Sequence, residues 1–337
     1  MGDREYHRFG SEELYRTQEI RYAPDTVRRI ALALGPTPPD DARHLLAPVS
    51  LPPPFPPLPD GPLPATEFVV ELVGRYPISA AALSQAFPPG GTGLGFGRLR
   101  IQRERSQGRW SPFDRERIDG RIEGIAFSWE LASLLTEGTE AVRELAGYLL
   151  RTEEIAGRLF LQTAPSDTPE EAAVRAARLA EIKRRFARSV EMRLLPQGRS
   201  FPTRAVWRHA YALGLRWGDL DLFHWHDPVA DLRLFSLNAL GHPGYFLPER
   251  AAEGEGTAGI ALSFELPRCP APIETYDRMG VALAYLRQHL GGRPQTGDGR
   301  ELDADRLYDD RDALDDAVRE MNRFGIAPGS PTAVRFF

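Results

Sequence analysis

Cysteine and lysine are almost missing from this chain of 337 residues. Cys269 is the single cysteine, so no disulfide can form within the chain. This usage is typical of a reducing compartment, and we expect the cytoplasm. Lys183 is the single lysine among 42 cationic residues. We interpret the arginine-rich remainder as codon bias, so it is weak evidence for any guanidinium-based function.

Long apolar runs and an excess of basic charge are also lacking. No stretch approaches the roughly 18 to 20 apolar residues that a membrane-spanning helix needs, and the first thirty residues are too charged for a signal peptide. The formal net charge is -5, which supplies no basic field for nucleic acid. A hydrophobic fraction of 42% is typical of globular proteins, and the length allows two domains.

Proline marks the clearest boundary in the chain. The segment from Ala47 to Pro64 reads APVSLPPPFPPLPDGPLP, and prolines fix φ and remove backbone donors, which favours an extended linker. Such a segment can also be a ligand for an aromatic groove. Residues 1–46 carry too little apolar surface to fold alone and are interpreted as an arm. We therefore predict an arm at 1–46, a linker at 47–64, and folded units at 65–188 and 189–337.

Each predicted unit alternates short strands with helices. In the first, strands are predicted at Glu67–Val73, Phe96–Arg103 and Gly124–Leu131 and helices at Ile78–Phe87, Thr139–Leu150 and Thr168–Phe186. In the second, strands are predicted at Val190–Leu195, Asp219–Trp225, Leu232–Asn238 and Gly259–Leu266 and helices at Phe201–Leu213, Ile273–Leu290 and Ala304–Phe324. This order predicts an α+β fold of two tandem units, each a mostly antiparallel sheet with helices on one face.

Four sequence blocks of the second half resemble one known family. The blocks GLRWGDLD, LFSLNALGHPGYF, GIALSFELP and GGRPQTGDGREL begin at Gly214, Leu234, Gly259 and Gly291. In order and spacing they are similar to the C-terminal domain of the bacterial division protein ZipA, and the block at Leu234 is the specific one. The first half looks like a diverged second copy.

The resemblance implies a non-enzymatic adaptor that needs no cofactor. Its sheet face would hold a short C-terminal peptide of FtsZ, the tubulin-like division GTPase, in a shallow apolar groove. Family members are usually tethered by an N-terminal membrane helix, which this sequence does not contain. Membrane association would then depend on a partner or on a missing tether, and would place the protein at the inner face of the membrane or the septum.

Matching the blocks also assigns groove positions. Leu220, Leu222, Leu240 and His242 fall at such positions, and Ser263 stands where the family prototype has a large aromatic residue. Period-2 alternation places Glu191 and Arg193 on the same predicted face. A partly polar groove predicts weaker, altered or lost FtsZ recognition. The alternative is therefore an adaptor or assembly factor of another cytoplasmic system that reuses the scaffold without binding FtsZ.

Other patterns that could carry chemistry favour structural interpretations. His224 and His226 could begin a metal site, but no complementary ligand motif accompanies them. The GGTGLGFG run at Gly90–Gly97 precedes a strand and lacks the Lys-Ser/Thr of a phosphate-binding loop. The acidic residues from Asp303 to Asp316 lack the spacing of a calcium loop. Cys269 has no signature of activation. We predict no metal site and no catalytic site.

Overall fold

The computed structural model describes residues 41–55, 61–87, 97–105, 108–114 and 120–337. The helix-compatible stretches predicted at Ser11–Glu19 and Pro24–Leu34, part of the proline-rich segment and most of the Gly90–Gly97 loop lie outside these ranges. The chain divides into two compact units. The C-terminal unit comprises 188–334 together with the described residues 41–54, and the upstream unit comprises 55–187 together with 335–337.

The described residues of the upstream unit form a five-stranded antiparallel sheet and three α-helices. Its strands are β1 (Glu67–Val73), β2 (Ile78–Ser79), β3 (Arg98–Gln102), β4 (Ser111–Pro112), β5 (Arg121–Ile122), β6 (Gly124–Glu130) and β7 (Gln162–Pro165). Its helices are α1 (Ala80–Ala86), α2 (Gly138–Arg158) and α3 (Pro169–Phe186). The sheet order is β4-β3-β6-β1-β7, and β2 and β5 form a separate pair.

The C-terminal unit contains a six-stranded antiparallel sheet. Its strands are β8 (Ser189–Leu195), β9 (Phe201–Pro202), β10 (Arg216–Trp217), β11 (Phe223–His226), β12 (Arg233–Ala239), β13 (Gly256–Thr257), β14 (Ile260–Glu265) and β15 (Arg293–Thr296). Its helices are α4 (Thr203–Ala212), α5 (Pro248–Ala252), α6 (Pro272–Leu290) and α7 (Ala304–Arg323), and α8 (Pro331–Phe336) follows. The sheet order is β10-β11-β12-β14-β8-β15.

Alternation along the central strands separates a helix-covered face from an open face in the C-terminal unit. Met192 and Leu194 on β8 and Leu262 on β14 are almost fully buried, and helix α6 contacts β8, β12, β14 and β15. The next residues along the same strands point to the other face, because successive side chains of a strand alternate. That face carries Glu191 and Ser263, which are only partly buried. The expected α+β class with helices on one face of an antiparallel sheet is confirmed.

Most predicted elements form within one or two residues of their predicted bounds. Strand β1 has the predicted bounds, and α3 begins one residue after the predicted start, where Thr168 and Glu171 form a capping box with both reciprocal hydrogen bonds. The strand predicted at Asp219–Trp225 was wrong at its start. Residues Asp219–Asp221 form a 3-10 turn, in which Leu220 and Asp221 both have positive φ. Side chains at positive φ are rare outside turns, so this segment cannot extend the strand.

Residues 41–54 pack on the C-terminal unit. Ala42 and Leu46 are buried, and the Ala42 N–H donates to the carbonyl oxygen of Ala212 at 3.0 Å. The Val49 N–H donates to Asp227 Oδ2 at 2.9 Å, and Arg278 Nε donates to the carbonyl oxygen of Ala47 at 2.7 Å. Sequence interpretation divided this stretch between an arm and a linker. We call residues 41–54 the strap.

Asp227 holds the strap with a buried carboxylate, and its protonation should loosen it. Burial raises the pKa of Asp227. The hydrogen bonds from the N–H groups of Ala230, Val49 and Val229 together lower it by more, so the net pKa lies below the ordinary value. A depressed carboxyl pKa stabilises the fold above the unfolded-state pKa of about 4, and that contribution is lost as the pH falls through the lower folded pKa. We expect the hydrogen-exchange protection of the Val49 amide to fall in that range.

The variant Asp227→Asn should lose this pH dependence and lower the free energy of unfolding by about 1 to 3 kcal/mol, the usual effect of losing hydrogen bonds to a charged group. Asp309→Asn, a change at an exposed carboxylate of α7, is the matched control and should leave the Val49 amide protected. Unchanged Val49 protection in Asp227→Asn would show that the strap is held by other contacts.

Candidate functional site

A groove of about 460 Å³ lies on the open face of the C-terminal sheet. Its floor includes Ser236 of β12 and Ser263 of β14, which stand directly opposite each other in the antiparallel register. One wall is formed by the segment before β11 and includes Leu220 and Leu222, and Leu232 and Leu234 also line the space. We call this space the sheet groove.

Two leucines of the sheet groove are exposed apolar side chains next to the cavity. Leu220 is 58% exposed and Leu232 is 40% exposed. Leu220 lies in the 3-10 turn at a φ of 59°, a conformation that costs a non-glycine residue free energy. Backbone strain of this kind persists only where the surrounding structure holds it.

His224 holds that turn from inside the sheet. Its Nε2 lies 2.8 Å from the carbonyl oxygen of Asp219, and its Nδ1 lies 2.8 Å from Ser236 Oγ. Arg233 Nη1 donates to Asp219 Oδ2 at 3.1 Å. The ring therefore connects the base of the turn to the groove floor. Burial lowers the pKa of His224 to about 4, so the ring is neutral at pH 7.

Both histidines considered as metal ligands have other partners. Both ring nitrogens of His224 lie at hydrogen-bond distance from protein atoms, and His226 Nδ1 lies 3.2 Å from the carbonyl oxygen of Asp231. Within the described residues, no group of three or more His, Cys, Asp or Glu side chains is placed to hold a metal ion. These histidines act as structural hydrogen-bonding groups.

The structure does not bring all predicted site residues to one place. Leu220, Leu222 and Ser263 line the sheet groove. Leu240 and His242 instead line a second cavity of about 290 Å³, formed around the His242–Pro243 turn and the start of α4. Leu240 follows β12 and lies beside Gly259, so it shares the open face with Ser236 and Asn238 but stands at its other end.

Glu191 and Arg193 lie on the same face, towards the other edge of the sheet. They pair with Ser263 and Ala261 respectively in the β8–β14 register and form an ion pair with each other. Glu191 lines a third cavity of about 310 Å³ with Thr296 and Tyr276. These two charged side chains neutralise one another, so they add polarity to the open face without adding net charge.

Sequence reasoning missed several groups that shape the sheet groove. Leu232, Leu234 and Arg268 line it, and Cys269 lies at its border. Arg268 forms an ion pair with Glu265 at 3.0 Å. Leu234 opens the specific sequence block, and Leu232 opens the predicted strand Leu232–Asn238, so alternation with Ser236 could have found both. Arg268 ends a short 3-10 helix after β14, for which no pattern indicated a direction. Burial raises the pKa of the Cys269 thiol to about 11, so this cysteine is not an activated nucleophile.

The lowered pKa of His224 predicts how the stability of the C-terminal unit depends on pH. Folding lowers the pKa of His224 from about 6.5 to about 4, so the unfolded chain binds a proton that the folded chain does not. The contribution of His224 to stability is therefore complete above pH 6.5 and declines as the pH falls towards 4. NMR titration of the ring should give a pKa near 4.

His209 shares this pH range, because its pKa is also lowered to about 4, mainly through burial. The variant His224→Gln should therefore reduce, without abolishing, the loss of stability between pH 6.5 and 4. His209→Gln is the comparison variant and should leave the NMR titration of His224 unchanged. A His224 ring that titrates near 6.5 would contradict the buried, hydrogen-bonded ring.

Among the residues that the structure describes, no helix has both the length and the apolar character needed to cross a membrane.

A comparison with curated proteins finds no significant match. Residues 189–313 match the family model described as "ZipA, C-terminal FtsZ-binding domain". This range contains every residue that lines the sheet groove. The resemblance predicted from the four sequence blocks is thus confirmed, and the segment that carries the groove matches the ZipA C-terminal domain family.

Proposed function

We propose that the C-terminal unit is a non-enzymatic adaptor that docks a partner peptide in the sheet groove, and that the C-terminal tail of FtsZ is the first candidate. The observation that carries this proposal is an open groove, with exposed leucines, inside the segment that matches an FtsZ-binding domain family. A role in bacterial cell division, at the inner face of the membrane or the septum, is part of the same proposal.

The exposed leucines supply the apolar surface that such docking needs. Burial of apolar area contributes about 25 cal/mol per Å², and one side chain of this size contributes roughly 1.5 to 3 kcal/mol when fully covered. Leu220 and Leu232 are the two groove side chains with most of this gain still available, because they are 58% and 40% exposed. They are therefore the expected anchor contacts. The turn that holds Leu220 is fixed by His224, so little ordering is required on binding.

The direction of the bound peptide follows from the sheet. Every second residue of β12 faces this side, so the open face continues from Ser236 through Asn238 to Leu240, the residue that follows the strand. A peptide anchored at Leu220 can run along this row towards Leu240 and His242. This path makes the family-derived positions Leu220, Leu222, Ser263, Leu240 and His242 two ends of one surface, with Glu191 and Arg193 on its flank.

The charges near the groove favour a largely apolar ligand. The rim arginines Arg233 and Arg268 are already paired with Asp219 and Glu265. His224 is neutral at pH 7 because burial lowers its pKa to about 4. No surplus of one sign is therefore directed at the peptide by these groups, and apolar contact dominates its binding energy.

The polar floor favours a second candidate function. Ser236 and Ser263 face each other where a larger apolar side chain would add contact area, and Glu191 stands directly beyond Ser263. A floor of this kind suits a partner that offers hydrogen-bonding groups. The second candidate is accordingly an adaptor of another cytoplasmic system that uses the same scaffold without FtsZ.

The nucleophile chemistry of the groove supports a binding role. His224 and Ser236 make a histidine–serine hydrogen bond, but the histidine is 2% exposed and its other nitrogen is directed at a backbone carbonyl. Cys269 is buried with a thiol pKa raised to about 11. Neither group is placed to attack a bound ligand, and we assign no reaction to the groove.

Titration of a labelled FtsZ C-terminal peptide, taken from the same bacterium, tests the first candidate. We expect saturable binding that Leu220→Asp weakens at least tenfold, because a carboxylate cannot be buried under an apolar ligand without a partner. Leu135→Asp is the matched control, since Leu135 is 94% exposed and lies in the upstream unit. Absence of binding at a few hundred micromolar, with folded protein, would shift the assignment to the second candidate.

The variant Ser263→Phe tests whether the polar floor limits affinity. An aromatic ring on the floor would add apolar contact worth roughly 1 to 3 kcal/mol, which is a gain of about fivefold to 150-fold in affinity for the FtsZ peptide. Isothermal titration of Ser263→Phe and Ser263→Ala, the size-matched control, measures it. Unchanged or weaker peptide binding in Ser263→Phe would contradict the expectation that the polar floor limits affinity.

A further inference from the structure

We propose that the sheet of the upstream unit carries a second docking surface, equivalent in position to the sheet groove, and that segment 335–337 of the same chain is its occupant. The surface would recognise an arginine followed by aromatic residues. This inference is independent of the partner proposed for the sheet groove, because it concerns only residues of the upstream unit.

The two sheets share sequence and strand register. Strands β6 and β14 lie within the segments GIAFSWEL and GIALSFEL, which are identical at six of eight positions. Glu67, the first residue of β1, pairs with the last of β6, and Ser189, the first of β8, pairs with the last of β14. The fourth residues, Val70 and Met192, pair with the last residues of β7 and β15.

The smaller elements repeat as well. Strand β2 comes directly before α1, and its partner β5 comes directly before β6. In the same way β9 comes directly before α4, and its partner β13 comes directly before β14. The units differ at the other edge, where β3 pairs with β6 in the place that β12 takes beside β14, although β3 is the first strand of its hairpin and β12 the second. This shared register allows positions to be matched between the units residue by residue.

The residues that line the sheet groove have counterparts in the upstream unit. Ser189, Ser236 and Ser263 line the sheet groove. By register, their counterparts are Glu67, Arg98 and Ser128, listed in the same order. The groove residue Glu265 corresponds to Glu130. Two of the three serines of the sheet groove therefore have charged counterparts, Glu67 and Arg98, and the third has a serine, Ser128.

Segment 335–337 contacts these counterparts or their direct partners. Arg335 Nη2 donates to Glu67 Oε1 at 2.8 Å, and Arg335 Nη1 donates to the carbonyl oxygen of Gly61 at 2.9 Å. Lys183, which pairs with Glu130 at 2.8 Å, lies with its Nζ 5.7 Å from the centre of the Phe336 ring. Phe336 is 2% exposed. Both Arg335 and Phe336 thus meet residues at groove-equivalent positions or their direct partners.

The recognition of an arginine follows from the carboxylate of Glu67. This side chain is 3% exposed, and it accepts from Arg100 Nη1 at 3.3 Å as well as from Arg335. Arg100 also donates to Ser128 Oγ at 2.7 Å, which holds it against the strand. The Leu63 N–H and Arg100 Nη1 both donate to Oε2 of Glu67, whereas Arg335 donates to Oε1. Burying a carboxylate is costly unless its oxygens are hydrogen-bonded, so Oε1 favours a guanidinium at the position of Arg335.

Binding in trans tests the proposal. The protein is the chain shortened after Val334, and the probe is a labelled peptide of residues 331–337. We expect saturable binding to the shortened chain and at least tenfold weaker binding to the full chain, whose own segment occupies the surface. A peptide with Arg335→Ala should lose at least tenfold in affinity, because it cannot pair with Glu67.

Variants of the shortened chain locate the binding surface. Glu67→Gln should weaken binding of the peptide at least tenfold. Glu71→Gln is the matched control on the same strand and should leave the affinity unchanged. Equal binding to the Glu67→Gln and unchanged shortened chains, or equal binding to the shortened and full chains, would overturn the proposal. So would absence of binding to a shortened chain that keeps its circular dichroism spectrum.

The full chain with Arg335→Ala covers the case in which the shortened chain does not fold. Its amides in β1 should lose hydrogen-exchange protection, and the added peptide should restore it. Unchanged β1 protection in this variant, or a loss that the peptide does not reverse, would show that segment 335–337 is not a recognised ligand.

Discussion

The pairing of β8 with β14 is the constraint on which the C-terminal unit depends. The register places Met192 opposite Leu262 under helix α6 and places Glu191 opposite Ser263 on the open face. Because successive side chains of a strand alternate, a slip by one residue would exchange the two faces. The apolar core and the polar groove floor are therefore two results of one hydrogen-bonded pairing. The same strands also position Arg193 and Ala261 side by side.

The β1–β6 and β8–β14 pairs share a register but present two different surfaces. β6 and β14 present the same Glu, Ser, Ala and Gly residues to the corresponding face. Their neighbours decide the chemistry. In the C-terminal unit the flanking positions are Ser189 and Ser236, and the face holds an open groove. In the upstream unit they are Glu67 and Arg98, and the buried carboxylate is paired with guanidinium groups.

The loops supply what the sheet by itself cannot. The turn at Leu220 raises an apolar side chain above a polar floor, and it does so with two consecutive residues at positive φ. His224 supports that turn through hydrogen bonds to Asp219 and Ser236. The groove is thus a strand surface with a rigid loop wall, a combination that limits the ordering cost when an extended ligand binds.

The amino-acid sequence by itself determined the α+β class, most strands and helices, the capping box at Thr168 and the likeness of four blocks to the ZipA family, because these depend on periodicity, local hydrogen bonds or contiguous residues. Only the tertiary structure decided that Val49 of the strap contacts Asp227, that Leu220 and Leu240 lie at two ends of the open face, and that Arg335 contacts Glu67. The contact of Val49 with Asp227 spans 178 residues, and that of Arg335 with Glu67 spans 268. Contacts over such separations depend on how the elements pack, and local sequence patterns do not encode that packing.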